Sequence, residues 1–111
     1  MAPQQGPLAG IKVLELGTLI AGPFCTRQLA DLGARVIKIE RPGSGDFARA
    51  YDTRVRGQSS HFIWTNRSKE SLTLDLKQPE ALQVLRDLLA GADVLVHEAF
   101  RTDALRPGAH V

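Results

Sequence analysis

The chain reads as an α/β domain built on a mainly parallel sheet, and three features of the sequence lead there. Two short apolar, β-branched runs, Lys12 to Leu16 and Arg35 to Glu40, fit strands covered on both faces. One helix-length segment, Gly22 to Leu32, joins them, so strand, helix and strand follow within some thirty residues as a βαβ unit with the usual right-handed crossover. The same alternation then recurs with a strand at Leu72 to Asp75, a helix at Pro79 to Ala90 and a strand at Val94 to Val96.

Each element carries its own signals. In the first helix, Pro23 suits the first turn, where a missing N–H costs nothing, and Gly33 marks the end. Arg41 to Ser60 is rich in Gly, Ser, Arg and Asp without sustained period, which predicts a long surface loop with one helical turn near Phe47 to Ala50. His61 to Thr65 is a short apolar cluster expected to pack beneath that loop. From Ser71 to Leu76 polar and apolar residues alternate, as in a half-buried strand. The second helix has Pro79 at its first position, Glu80 favourable to the dipole, and Leu82, Leu85, Leu88 and Leu89 along one face, with Gly91 as its stop. Beyond Val96 only a turn at Pro107-Gly108 is legible.

Composition narrows the function classes. The 111 residues fit one domain, and 43% hydrophobic with 23% charged residues is ordinary for a globular chain. No apolar run approaches the ~20 residues needed to span a bilayer, and the N-terminus lacks the basic and apolar regions of a signal peptide. A cytoplasmic location with no membrane partner is the expectation. The single cysteine, Cys25, allows no internal disulfide and fits a reducing compartment. Net charge is +2, but from Arg35 to Lys77 nine Lys/Arg face five Asp/Glu, while the remainder has five against seven. Such a basic middle suits a polyanionic small molecule. A solvated basic loop is the simpler alternative. Nucleic acid is not expected, because no helix gathers basic residues on one face and aromatic pairs do not interleave with them.

Ligands of open parallel sheets collect at the carboxyl ends of the strands. Here those ends are Gly17 to Pro23 and Arg41 to Asp46, with Lys77 expected directly after the third strand. Arg41 and Lys77 would then be cations at neighbouring strand ends, able to hold phosphates or merely to cap the sheet. Pro42-Gly-Ser-Gly-Asp gives a loop that can approach a ligand closely. Specific nucleotide motifs fail on spacing: Pro23 stands where a phosphate-binding loop requires Lys, and no G-x-G-x-x-G follows the first strand. Cys25 falls in a helix's first turn, where a thiolate is favoured, but no His or Asn can be set beside it, and a small buried helix residue is the simpler reading. His61, His97 and His110 have no metal-ligand spacing.

An ordered series of motifs adds a resemblance. Pro7, Leu8, Gly10, Val13 and Leu14 are followed by Ala21 to Pro23; Leu32 to Ala34 by Val36 to Lys38 and Glu40; then come Pro42, Gly43, Gly45 and Asp46. Phe62, Asn66, Lys69, Ser71, Leu74 to Lys77, Pro79-Glu80 and Ala92 to Val96 continue it. Together they resemble the N-terminal region of class III CoA-transferases.

The resemblance implies Rossmann-like βαβ units, incomplete relative to the full family fold, with residues 1–111 as the N-terminal, CoA-binding part of a longer domain. It implies acyl-CoA and carboxylate small molecules as partners, a coenzyme A thioester as substrate with no permanently bound cofactor, and interlocked homodimers in the full-length family. In residue terms it implies CoA contacts at Leu19, Ile20, Ala21, Arg41, Leu74, Lys77 and Phe100, with the turn before the first helix approaching the thioester. The family's aspartate nucleophile corresponds to no carboxylate here, Glu15 and Asp31 included, so no catalytic residue is expected and the chain alone should be inactive. Acyl-CoA racemases share similar N-terminal motifs, and a CoA- or nucleotide-binding module without catalysis is a further alternative.

Overall fold

The computed structural model describes residues 5–18 and 20–97. Its elements in order are β1 (Lys12–Glu15), α1 (Ala21–Asp31), β2 (Arg35–Glu40), a 3-10 turn (Phe47–Ala50), α2 (Ser60–Asn66), β3 (Glu70–Thr73), α3 (Pro79–Ala90) and β4 (Val94–Val96). Among the described residues the four strands form one sheet in the order β3-β2-β1-β4, and each neighbouring pair is parallel. The predicted α/β architecture is therefore the one observed.

Strand pleating sorts the core into two layers, since alternate residues face opposite sides. Val13 and Val36 pack with Ala30 and Ala34 on the α1 side, whereas Leu14 and Ile39 pack with Leu85 of α3 on the other. The sheet is thus covered on both faces, which is why its central strands place apolar residues on each side. At Gly33 the chain turns with φ +108°, and a Cβ there would lie 2.2 Å from the Gln5 carbonyl oxygen. Only glycine fits that close approach. Pro79 opens α3 and Glu80 lies in its first turn, as expected.

Two elements differ from expectation. β3 begins and ends two residues early, because its register on β2 runs from Ile37↔Glu70 to Glu40↔Thr73. Leu74 N–H adds one bond to Glu40 O at 3.0 Å, after which Asp75 bends the chain by accepting the Lys77 N–H at 3.1 Å. The alternation outlasts the strand because Leu74 and Leu76 still pack on the α3-side core beyond the last rung. Lys77 consequently sits four residues past β3 rather than directly after it.

The cluster at His61 to Thr65 is a helix, α2. Ser59 caps it, its hydroxyl accepting the Phe62 N–H at 3.2 Å. Asp52 ties the preceding loop to this start: its carboxylate accepts from the Ser60 N–H at 2.8 Å, the Arg54 N–H at 3.0 Å and the Ser60 hydroxyl at 2.7 Å. Those bonds, the Ser60 N–H foremost, hold the Asp52 carboxyl below its usual range. The long loop is thereby ordered around one side chain.

Candidate functional site

The carboxyl ends of β1, β2 and β3 border a cleft of about 210 Å³. Leu16, Ile39, Leu74 and Leu76 give it an apolar wall, while Arg41 and Thr18 supply polar groups. This is the place where a parallel α/β sheet offers its loops to a ligand.

Beneath the cleft lies a charged cluster that sequence reasoning missed. Glu15 and Lys38 are register partners on β1 and β2 and share the α1-side face with Val13 and Val36. Both are buried, at 0% and 1% exposure, so each needs a partner. Lys38 Nζ lies 2.8 Å from Glu15 Oε2 and 2.9 Å from Asp46 Oδ2, and donates to the Gly17 carbonyl at 3.2 Å. Glu15 Oε1 accepts from Thr26 Oγ1 and from Lys69 Nζ, each at 2.7 Å. Lys69 also donates to the Pro23 carbonyl at 3.0 Å and to Asn66 Oδ1 at 2.8 Å. Burial lowers the Lys69 ammonium to a pKa of about 8, against the opposing pull of Glu15. Two lysines and two carboxylates thus join β1, the start of α1, the loop after β2 and α2 in one charge-balanced unit. The available signal was Lys38 and Glu40 alternating with Ile37 and Ile39 within β2.

Glu40 anchors the loop from the other side. Its Oε1 accepts the Asp46 N–H at 2.9 Å and Arg49 Nε at 2.7 Å; Oε2 accepts Arg49 Nη2 at 2.7 Å and the Ser71 hydroxyl. Burial alone would raise its pKa, but the bonds from Arg49, Ser71 and Asp46 outweigh it and bring the carboxyl down to about 2. Asp46 in turn caps the 3-10 turn, its Oδ1 accepting the Ala48 N–H at 2.9 Å. Gly45 passes between these groups at φ +65°, where a Cβ would lie 2.5 Å from Glu40 Oε1.

Arg41 emerges from this hydrogen-bonded loop. Its Nε donates to the Gly45 carbonyl at 2.9 Å and its guanidinium carbon lies 3.9 Å from the Phe47 ring centroid. Among the described residues its two Nη groups have no partner. Arg49 makes a similar stack on Phe62 at 4.0 Å, yet spends Nε and Nη2 on Glu40. Of the two arginines, Arg41 keeps the donors needed for an external anion.

The other sequence-expected positions divide. Leu74 lines the cleft with Arg41. Lys77 is exposed in the turn before α3 and does not line it. Ile20 is the N-cap of α1, exposed and without a side-chain cap, and Ala21 opens the helix beside it. Leu19 and Phe100 lie outside the described residues, as does the expected Pro107-Gly108 turn. Cys25 is exposed rather than buried, because it points away from the face of α1 that carries Thr26 and Ala30. Among the described residues no His, Cys, Asp or Glu cluster could hold a metal.

The sequence pattern of CoA-transferase family III matches residues 8–107, nearly the whole chain. The chain belongs to CoA-transferase family III. Succinyl-CoA:glutarate CoA-transferase of Homo sapiens is 43% identical over 91 residues, covering 81% of this chain and 21% of that protein. Acetyl-CoA:oxalate CoA-transferase of Acetobacter aceti is 45% identical over 100 residues, covering 90% and 25%. A CAIB/BAIF family protein from Brucella suis superposes with a TM-score of 0.76 at 39% identity, over 85% of this chain and 26% of that one. A hypothetical protein from Mycobacterium tuberculosis gives 0.80 at 38% identity, over 94% and 30%. The family III chain therefore spans about a fifth to a quarter of the length of these curated relatives. Among its described residues no helix is long and apolar enough to cross a membrane.

Proposed function

We propose that this family III chain grips the CoA moiety of an acyl-CoA thioester, as the N-terminal CoA-binding part of an enzyme that moves CoA to a carboxylic acid. One observation carries the reading: Arg41, fixed at Nε and on one ring face, holds two uncommitted Nη groups at the rim of an apolar cleft formed by strand ends. CoA combines phosphates with long apolar stretches, so it matches a cation beside leucines. In this reading Arg41 and Lys77 hold phosphates, the Leu74 segment and Phe100 contact the rest of the molecule, and the backbone at Leu19, Ile20 and Ala21 lies near the thioester. The names of the relatives pair CoA thioesters with carboxylates such as glutarate and oxalate, which supports the same substrate classes here.

The covalent step is not assigned to any described residue of this chain. Both carboxylates lining the cleft, Glu40 and Asp46, are buried and bound to Arg49 and Lys38, which leaves neither as an attacking group. A second copy, interlocked with the first, belongs to the same proposal, with sedimentation as its test. The CoA substrate and single thiol fit a cytoplasmic setting. Calorimetric titration with CoA tests the central reading: binding that weakens with added salt and with Arg41→Ala supports it. Binding indifferent to both, or no binding, overturns it.

A further inference from the structure

We infer that Phe47 is a positioning residue for Arg41, an aromatic platform that holds the guanidinium ready for an anion before any ligand arrives. Phe47 is a large apolar side chain left 53% exposed, so core packing does not explain its place. What its ring does cover is Arg41, whose guanidinium carbon stands 3.9 Å from its centroid. A cation over an aromatic face is attracted by the ring quadrupole and loses little hydration if it is a guanidinium. The stack and the Nε bond to Gly45 O together fix the plane of the group and direct what remains, the two Nη groups, outward.

The platform is itself built from below. Phe47 opens the 3-10 turn that Asp46 caps through the Ala48 N–H, and Asp46 is pinned by buried Lys38 at 2.9 Å and by its own N–H to Glu40 at 2.9 Å. The buried ion pairs therefore set the turn, the turn sets the ring, and the ring sets Arg41. An arginine held this way has already lost the side-chain freedom that binding would otherwise remove. That the anion belongs to CoA rests on the function proposed above; that Phe47 holds Arg41 does not.

The test uses the full chain and two readouts. In nitrogen-15 spectra the Arg41 Nε–Hε signal, assigned by its loss in Arg41→Lys, should exchange slowly with solvent. Phe47→Leu should speed that exchange, and Phe47→Tyr should leave it slow. Phe47→Leu should also weaken CoA binding about two- to tenfold, the ordering cost of one immobilised side chain that the platform otherwise removes. In an Arg41→Ala background the same substitution should add nothing, because the residue it acts through is gone. The thermal midpoint should fall by only about 2–4 °C, the loss of one half-exposed stack, so the chain stays folded in both assays. Unchanged Hε exchange in Phe47→Leu overturns the inference, as does an equal loss of CoA affinity with and without Arg41. Slow exchange that depends on Phe47 in a chain that fails to bind CoA upholds the positioning and overturns the CoA reading alone.

Discussion

Replacing Glu40 with Gln should cost stability in a way that depends on pH. The carboxylate is buried and accepts four hydrogen bonds, two of them from Arg49. Glutamine keeps the shape but loses the charge. Lowering a carboxyl from 4.5 to about 2 corresponds to at most about 3 kcal/mol of folding free energy at neutral pH. Arg49 is 43% exposed at its side chain, so solvent screening brings the expected loss to about 2 kcal/mol. The sign follows from the folded pKa lying below the unfolded one: the contribution is fully present above about pH 4.5 and vanishes as pH falls towards 2. Urea unfolding of wild type and Glu40→Gln at several pH values between 7 and 2.5 isolates the term, because other titrations cancel in the difference. A gap near 2 kcal/mol at pH 7 that closes on acidification is the expected result. A gap that is absent at pH 7, or constant with pH, would refute the electrostatic account of this loop.

Three further outcomes are expected. Arg41→Ala should weaken CoA binding by about 1–3 kcal/mol, the worth of charge-assisted contacts, whereas exposed Lys77→Ala should cost under about 1 kcal/mol; calorimetry at low salt compares them. Gly45→Ala should lower stability by roughly 1–3 kcal/mol, since it forces a Cβ against Glu40 Oε1 at positive φ, and thermal unfolding measures it. Supplied with acyl-CoA donors and labelled carboxylate acceptors, the chain should form no new acyl-CoA above a no-protein control, because its cleft carboxylates are committed to Lys38 and Arg49.

Much of the fold was legible because long, strongly periodic elements declare themselves. β2 and α3 occur at the expected residues, and β4 as well, since apolar runs, Pro79 and Gly91 act within the element they delimit. The end of β3 was not legible: Leu74 and Leu76 keep the alternation while the ladder stops at Thr73, and only pairing with β2 reveals where rungs end. Helix α2 was hidden because seven residues show too little period, although Ser59 was a cap in plain view. At the site, Arg41 was expected from its strand-end position and Leu74 only from the family resemblance, and both line the cleft. The Glu15–Lys38–Asp46–Lys69 cluster was not, because its members are spread over 55 positions of sequence and meet only when β1 and β2 pair. Phe47 escaped for a related reason, since its partner is six residues away across a glycine-bearing turn.

The most direct test is to follow the backbone amide resonances of the chain as CoA is added. Shifts should concentrate at residues 16–18, 41–47 and 74–76, around the three strand ends and the Arg41 loop, and diminish throughout in Arg41→Ala. Shifts confined to the outer face of α3 or the edge at β4, with residues 41–47 unmoved, would contradict the proposed CoA site.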